Sequence, residues 1–227
     1  MVQRVAICIA GQYRSHNETI ISIEKHIITP LRRNFTIDLF YAVDKDGDIY
    51  ADNHRVVAYP IKNRHEQFKR FETCGQLIRS TNKYYEWAIR MRPDMLFEQN
   101  LYLNGLLSDR LYANFRCIDP RRHPTVYISE LAPELRRRVD NLCGFTLCSN
   151  TTDVISDQFA IIPQRYIYTY FSDINYTKPG KMPEDTLSVH MVNNNVKFAP
   201  FSLRMCIHRS GKPLTCPSIQ DRLLRCS

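Results

Sequence analysis

Arg90, Arg92 and Asp94 place two guanidiniums and a carboxylate within five residues of the chain. Arginine forks bind phosphate oxygens bidentately, and a carboxylate can hold Mg²⁺ or Mn²⁺ to neutralise a diphosphate leaving group. The same three residues equally suit a structural ion pair that closes a strand, and spacing does not separate the two. Asp44, Asp46, Gly47 and Asp48 resemble part of a calcium loop, but Arg55 stands where a bidentate Glu is needed, so a polar turn is expected there. Most of the tyrosines read as half-buried packing residues, with Tyr13 the one best placed to stack on a ring.

The elements around these residues alternate. Residues 4–10 are a β-prone run without polar alternation, the pattern of a strand buried on both faces of a parallel sheet. Ser15 and Glu18 have capping-box spacing ahead of Ile20, Ile23, Ile27, Ile28 and Leu31, which recur at helical intervals up to Pro30 and the helix end. Strands are predicted at 36–43 and 55–61, and a helix from the Asn63/Glu66 pair to about residue 85. In residues 85–92 the odd positions are apolar, and Pro93 ends the strand because it has no N–H to donate. Asp94 therefore falls just beyond the carboxyl end of a central strand, where open α/β sheets place their ligand crevices. Residues 100–142 read as basic loops around a short strand candidate at 125–128, with arginine clusters at 121–123 and 136–138. Strands at 144–148 and 158–162, helices around 167–174 and from Pro183, and a β-prone return over 196–207 complete the pattern.

With 227 residues, 44% apolar and 24% charged, the chain can bury a sizeable core, which excludes mini-protein, collagenous and disordered classes. A single α/β domain over residues 1–210 with a tail at 211–227 is expected, and no internal repeat or Gly/Ser linker divides it. No apolar run reaches membrane-spanning length, and residues 5–10 are too short for a signal-peptide core, so a cytoplasmic protein is expected. The eight cysteines show no CxxC pair or zinc spacing, which predicts free buried thiols. Four N-x-S/T triplets, at Asn17, Asn34, Asn150 and Asn175, carry little weight without a signal.

The segments VAICIAGQYRS, YYEWAIRMRPDMLF, SDQFAIIP and PEDTLSVHMVNNN, in this order over most of residues 4–208, resemble the landmarks of small GT-A-type glycosyltransferases. The resemblance implies a Rossmann-like single domain with a mostly parallel central sheet flanked by helices. It implies transfer of a sugar from a nucleoside-diphosphate donor, UDP-sugar favoured, to a hydroxyl of a glycan or glycoprotein, assisted by Mn²⁺ or Mg²⁺, in a single displacement with inversion. The family usually carries Asp-x-Asp for its metal. Here Arg92-Pro93-Asp94 stands in that place, leaving one carboxylate and putting metal dependence in question. The chain is similar in size to transferases that decorate capsid glycans of large DNA viruses infecting algae.

By the same resemblance Gly11, Gln12, Tyr13 and Arg14 form the first nucleotide-contacting loop, joined by Arg90 and Arg92 on the donor. Their bland alternative is a tight βα turn. Asp94 and His208 would be metal ligands, although a lone histidine is more often a surface or satisfied core residue. Glu184 or Asp185 would be the general base, and Asp157 would contact the acceptor; first-turn dipole compensation and a strand cap are the competing roles. The net charge of +8 and the arginine clusters also suit a non-enzymatic nucleic-acid or polyanion binder. No nucleic-acid-binding signature accompanies them, so no nucleic-acid partner is expected.

Overall fold

The apolar run at the start becomes strand β1 (Arg4–Gly11), buried along all but its first residue. It belongs to a computed structural model that describes residues 3–13, 15–44, 55–59, 66–118, 152–172, 174, 183–201, 203–209 and 211. Arg14, the cap at Asn63, the loop at 45–54, the strand candidates at 125–128 and 144–148, both arginine clusters and nearly all of the tail lie outside the described residues.

Beside β1 lie β2 (Thr36–Asp44), β3 (Arg55–Tyr59), β4 (Trp87–Met91), β6 (Leu111–Ile118), β7 (Thr152–Pro163) and β8 (Phe198–Pro200), in the order β3-β2-β1-β4-β7-β6-β8. The pairs β1–β2, β1–β4, β2–β3 and β6–β8 are parallel, whereas β7 runs antiparallel to both β4 and β6. The expected mostly parallel sheet is present, with an antiparallel insertion that the sequence reading did not foresee. Strands β5 (Met95–Phe97) and β9 (Met205–Ile207) form a separate antiparallel ribbon.

Alternation along each strand divides the core into two layers. Ala6, Cys8 and Ala10 of β1, Phe40 and Ala42 of β2 and Ala88 of β4 face helix α3 (Glu66–Ser80), with its Phe68, Phe71, Cys74 and Ile78. Helices α4 (Gln164–Tyr170) and α5 (Pro183–Asn193) supply Ile167, Tyr170, Leu187 and Met191 to the same layer. The small side chains on that face let α3 approach closely. Val5, Ile7, Ile9, Trp87, Ile89 and Met91 point to the other face and meet Ile23, Ile27, Ile28 and Leu31. These four lie on one continuous helix, α1 (His16–Ile23), a π-helical segment (Glu24–Ile28) and α2 (Thr29–Arg32), because every junction residue is right-handed helical. Pro30 sits inside it and cannot donate to the His26 carbonyl, which instead accepts from the Leu101 amide at 2.8 Å.

Several expectations are corrected. Ser15 makes no side-chain cap on α1, so the capping box does not form; both of its members turn to His208 instead. The helix predicted to reach residue 85 ends at Ser80, where Asn82 takes a positive φ of 53° and turns the chain towards β4. Residues 111–118, expected as loop, form β6. The cysteines are not all free: Cys8 and Cys74 form a disulfide that fastens β1 to α3, and Cys206 is disulfide-bonded as well. The unbroken apolar run had placed Cys8 in a buried strand without showing that α3 would bring a thiol opposite it.

Candidate functional site

The strand order 3-2-1-4 reverses direction between β1 and β4, so their carboxyl ends flank a topological switch point. Gly11 ends β1 with φ +151°, and a Cβ there would stand 2.9 Å from Cδ of Pro93. Only glycine lets the first loop leave the sheet this close to the turn after β4. The Gly11 loop and the Arg92-Pro93-Asp94 turn, far apart in sequence, therefore form one edge.

At that edge Asp94 is fully buried and takes a two-pronged bond from Arg92, Nε to Oδ1 at 2.8 Å and Nη2 to Oδ2 at 2.7 Å. The Arg92 side chain keeps 19% of its surface exposed. Asp94 thus fixes the plane of a guanidinium that still reaches solvent, the geometry that suits a phosphate or carboxylate ligand. Arg90 is placed elsewhere: it is 1% exposed, with its guanidinium 4.4 Å from the ring centroid of Phe71, inside the α3 layer. A role on the donor, expected from its spacing to Arg92, is not what this position offers.

Around the turn the start of α1 adds contacts that the sequence reading missed. Thr19 Oγ1 donates to the Pro93 carbonyl at 2.6 Å and His16 Nδ1 donates to the same oxygen at 3.1 Å. Because that carbonyl can only accept, His16 carries its proton on Nδ1, and Nε2 is left to accept from the Tyr41 hydroxyl at 3.5 Å. Tyr13 packs its ring 4.7 Å from the imidazole and is itself 7% exposed, buried beside His16 rather than displayed as an open platform. Burial lowers the His16 pKa, with the Pro93 hydrogen bond opposing in part. Burial likewise raises the Tyr41 hydroxyl, reinforced by Tyr13 and Glu24. His208 reaches the turn through its backbone, its N–H donating to the Asp94 carbonyl at 2.7 Å, while its Nε2 donates to Glu18 at 2.6 Å. The available signal was a histidine and a glutamate, His16 and Glu18, directly after the first loop, of which only Glu18 entered the sequence reading, as a capping partner of Ser15.

Asp94 and His208 are thus neighbours, as expected of two ligands, but each is engaged: both Asp94 oxygens by Arg92, the imidazole by Glu18. Among the described residues no group of three or more His, Cys, Asp or Glu side chains could hold a metal ion. With their oxygens and imidazole committed to Arg92 and Glu18, Asp94 and His208 as placed do not fit a divalent ion held between them.

The remaining candidates are located by backbone. Met91 of β4 pairs with Phe159 of β7 at the end of their ladder, and Asp157 lies two residues further along β7, past the end of β4. Its segment of β7 is irregular, because the β6 partners jump from Ala113↔Ala160 to Phe115↔Ile155. Bulges of this kind re-aim side chains beside ligand sites. Glu184 and Asp185 lie in the first turn of α5, which packs against β7. The side chains of these three acids, and Arg14, are outside the described part; Gln12 lies half-buried in the loop after Gly11.

No protein-family model matches this chain, and no curated protein matches it.

Proposed function

We propose that this chain is a glycosyltransferase that takes its sugar from a nucleoside diphosphate, with a UDP-sugar favoured, and delivers it to a hydroxyl of a glycan or glycoprotein. One observation carries the reading: a buried carboxylate orients a partly exposed guanidinium at the switch point between β1 and β4, against a glycine-tight first loop. An anionic ligand is what such an edge accommodates, and the basic charge of the chain favours its approach. The GT-A-like order of the sequence landmarks supports the sugar donor over other anions.

The chemistry follows from charge. The acceptor oxygen attacks the anomeric carbon, the bond from that carbon to the diphosphate breaks, and the diphosphate leaves with the electron pair. Arg92 meets the charge gathering on the departing oxygens, held in place by Asp94. Asp157, Glu184 or Asp185 would accept the acceptor's proton, giving a single displacement with inversion. Arg92 takes over, in this reading, much of the neutralisation that the resemblance assigns to Mn²⁺ or Mg²⁺. As for location, no helix among the described residues is long and apolar enough to cross a membrane. The disulfides favour an oxidising compartment over the cytoplasm expected from the sequence.

The test is a thermal-shift series with UDP, GDP, CDP and TMP, each with and without Mn²⁺, on the wild type, Arg92→Lys and Asp94→Ala. One nucleoside diphosphate should stabilise the wild type, and a lysine, lacking the planar fork, should lose at least tenfold in affinity for it. A shift that appears only with Mn²⁺ would return the metal to the site, with Arg92 released from Asp94. A chain that ignores every nucleotide but responds to DNA or heparin in low salt would be the polyanion binder instead.

A further inference from the structure

Two N-x-S/T triplets fall wholly within the described residues, and the fold treats them in opposite ways. In Asn17-Glu18-Thr19 the triplet lies in the first turns of α1. Residues two apart on a helix do not share a face, and Thr19 is fully buried with its hydroxyl on the Pro93 carbonyl. That triplet belongs to the candidate site. Asn34-Phe35-Thr36 lies where α2 has ended and β2 begins. Phe35 packs against the core layer below α1, while Asn34 lies in the turn that ends α2 and Thr36, the first residue of β2, is half-buried. Asn34 is exposed, its backbone N–H is satisfied by the Leu31 carbonyl at 3.1 Å, and among the described residues neither its carboxamide nor the Thr36 hydroxyl makes a side-chain hydrogen bond.

A second observation concerns the compartment. Cys8 and Cys74 are both fully inaccessible, one on the central strand and one on the helix above it. Their bond joins the sheet to the helix inside the core, and such a bond persists in surroundings that sustain disulfides. Those are the surroundings in which asparagine-linked oligosaccharides are added to chains as they fold.

We propose that Asn34 is an N-glycosylation site of this protein, a reading that stands apart from its enzymatic activity. In the reaction the Asn34 carboxamide nitrogen attacks the anomeric carbon of a lipid-diphosphate oligosaccharide. The new N–C bond forms as the bond from that carbon to the diphosphate oxygen breaks, the lipid diphosphate departs with the electron pair, and the nitrogen gives up one proton. The glycan emerges at the amino-terminal edge of β2, whereas the Gly11 and Asp94 turns lie at the opposite, carboxyl-terminal edge of the parallel strands. A bulky saccharide there shields the sheet end without covering the crevice.

The full chain, purified from cells that make it, should be treated with peptide N-glycosidase in ¹⁸O-labelled water and mapped by mass spectrometry. The peptide holding residue 34 should carry a labelled aspartate after treatment. Thr36→Ser should retain the modification and Thr36→Ala should abolish it. An unmodified Asn34 in the wild-type protein, or modification at Asn17 alone, would overturn the proposal.

Discussion

Burial of His16 between Tyr13, Tyr41 and the Pro93 carbonyl disfavours its charged form. Its folded pKa lies below the ordinary value of about 6.5, so on acidification the unfolded chain takes up the proton first. The His16 contribution is therefore whole above about pH 6.5 and declines as pH falls from there to the depressed folded value. Chemical denaturation between pH 7.5 and 5 should show this loss, and His16→Gln should flatten that limb of the profile; an unchanged slope would place the acid sensitivity elsewhere. Little of this was legible beforehand. The spacing of Arg92 and Asp94 pointed to the turn where the two side chains meet, and Pro93 to the strand end, since both are local in sequence. The partners of His16 come from β2 and from the turn after β4, and no local pattern records such meetings.

Between β1 and β4 the closeness of two turns rests on Gly11. Alanine there would face both a backbone torsion that disfavours side chains and a Pro93 contact at 2.9 Å. Gly11→Ala should lower stability by about 1–3 kcal/mol in urea melts and weaken nucleotide binding, by pushing the turn that carries Arg92 and Asp94 outward. A variant as stable as the wild type would show that the edge has slack. The β1-α1-β2 unit and α3 were readable because apolar runs and helical stripes are strong signals. Strands β5 and β6 were not: three residues of β5 are too few to show a period, and β6 mixes Arg116 and Asn114 into its run beside an antiparallel partner.

Across the whole molecule the Cys8–Cys74 bond closes a loop with 66 residues of sequence separation, and it joins the sheet to the layer that covers it. Cross-linking of that span restricts the unfolded chain by about 4 kcal/mol in the loop-entropy view. The double variant Cys8→Ala/Cys74→Ala should lose roughly 2–4 kcal/mol by denaturant titration while keeping its far-ultraviolet spectrum. A loss below about 0.5 kcal/mol would mean that packing alone holds α3 on the sheet. Cysteine spacing could not reveal this pair, because only the finished packing of α3 brings position 74 over position 8.

The proline in the first helix has a reach beyond that helix. By withholding an amide from His26 it leaves a carbonyl for Leu101, a residue that follows the β5 segment and is itself fully buried. The bond makes the opening of residues 99–106 contingent on the helix staying wound, so the two should breathe as one unit on the hydrogen-exchange timescale. Pro30→Ala would supply a rival donor in the helix, and the Leu101 amide should then exchange faster than its neighbours in the wild type do.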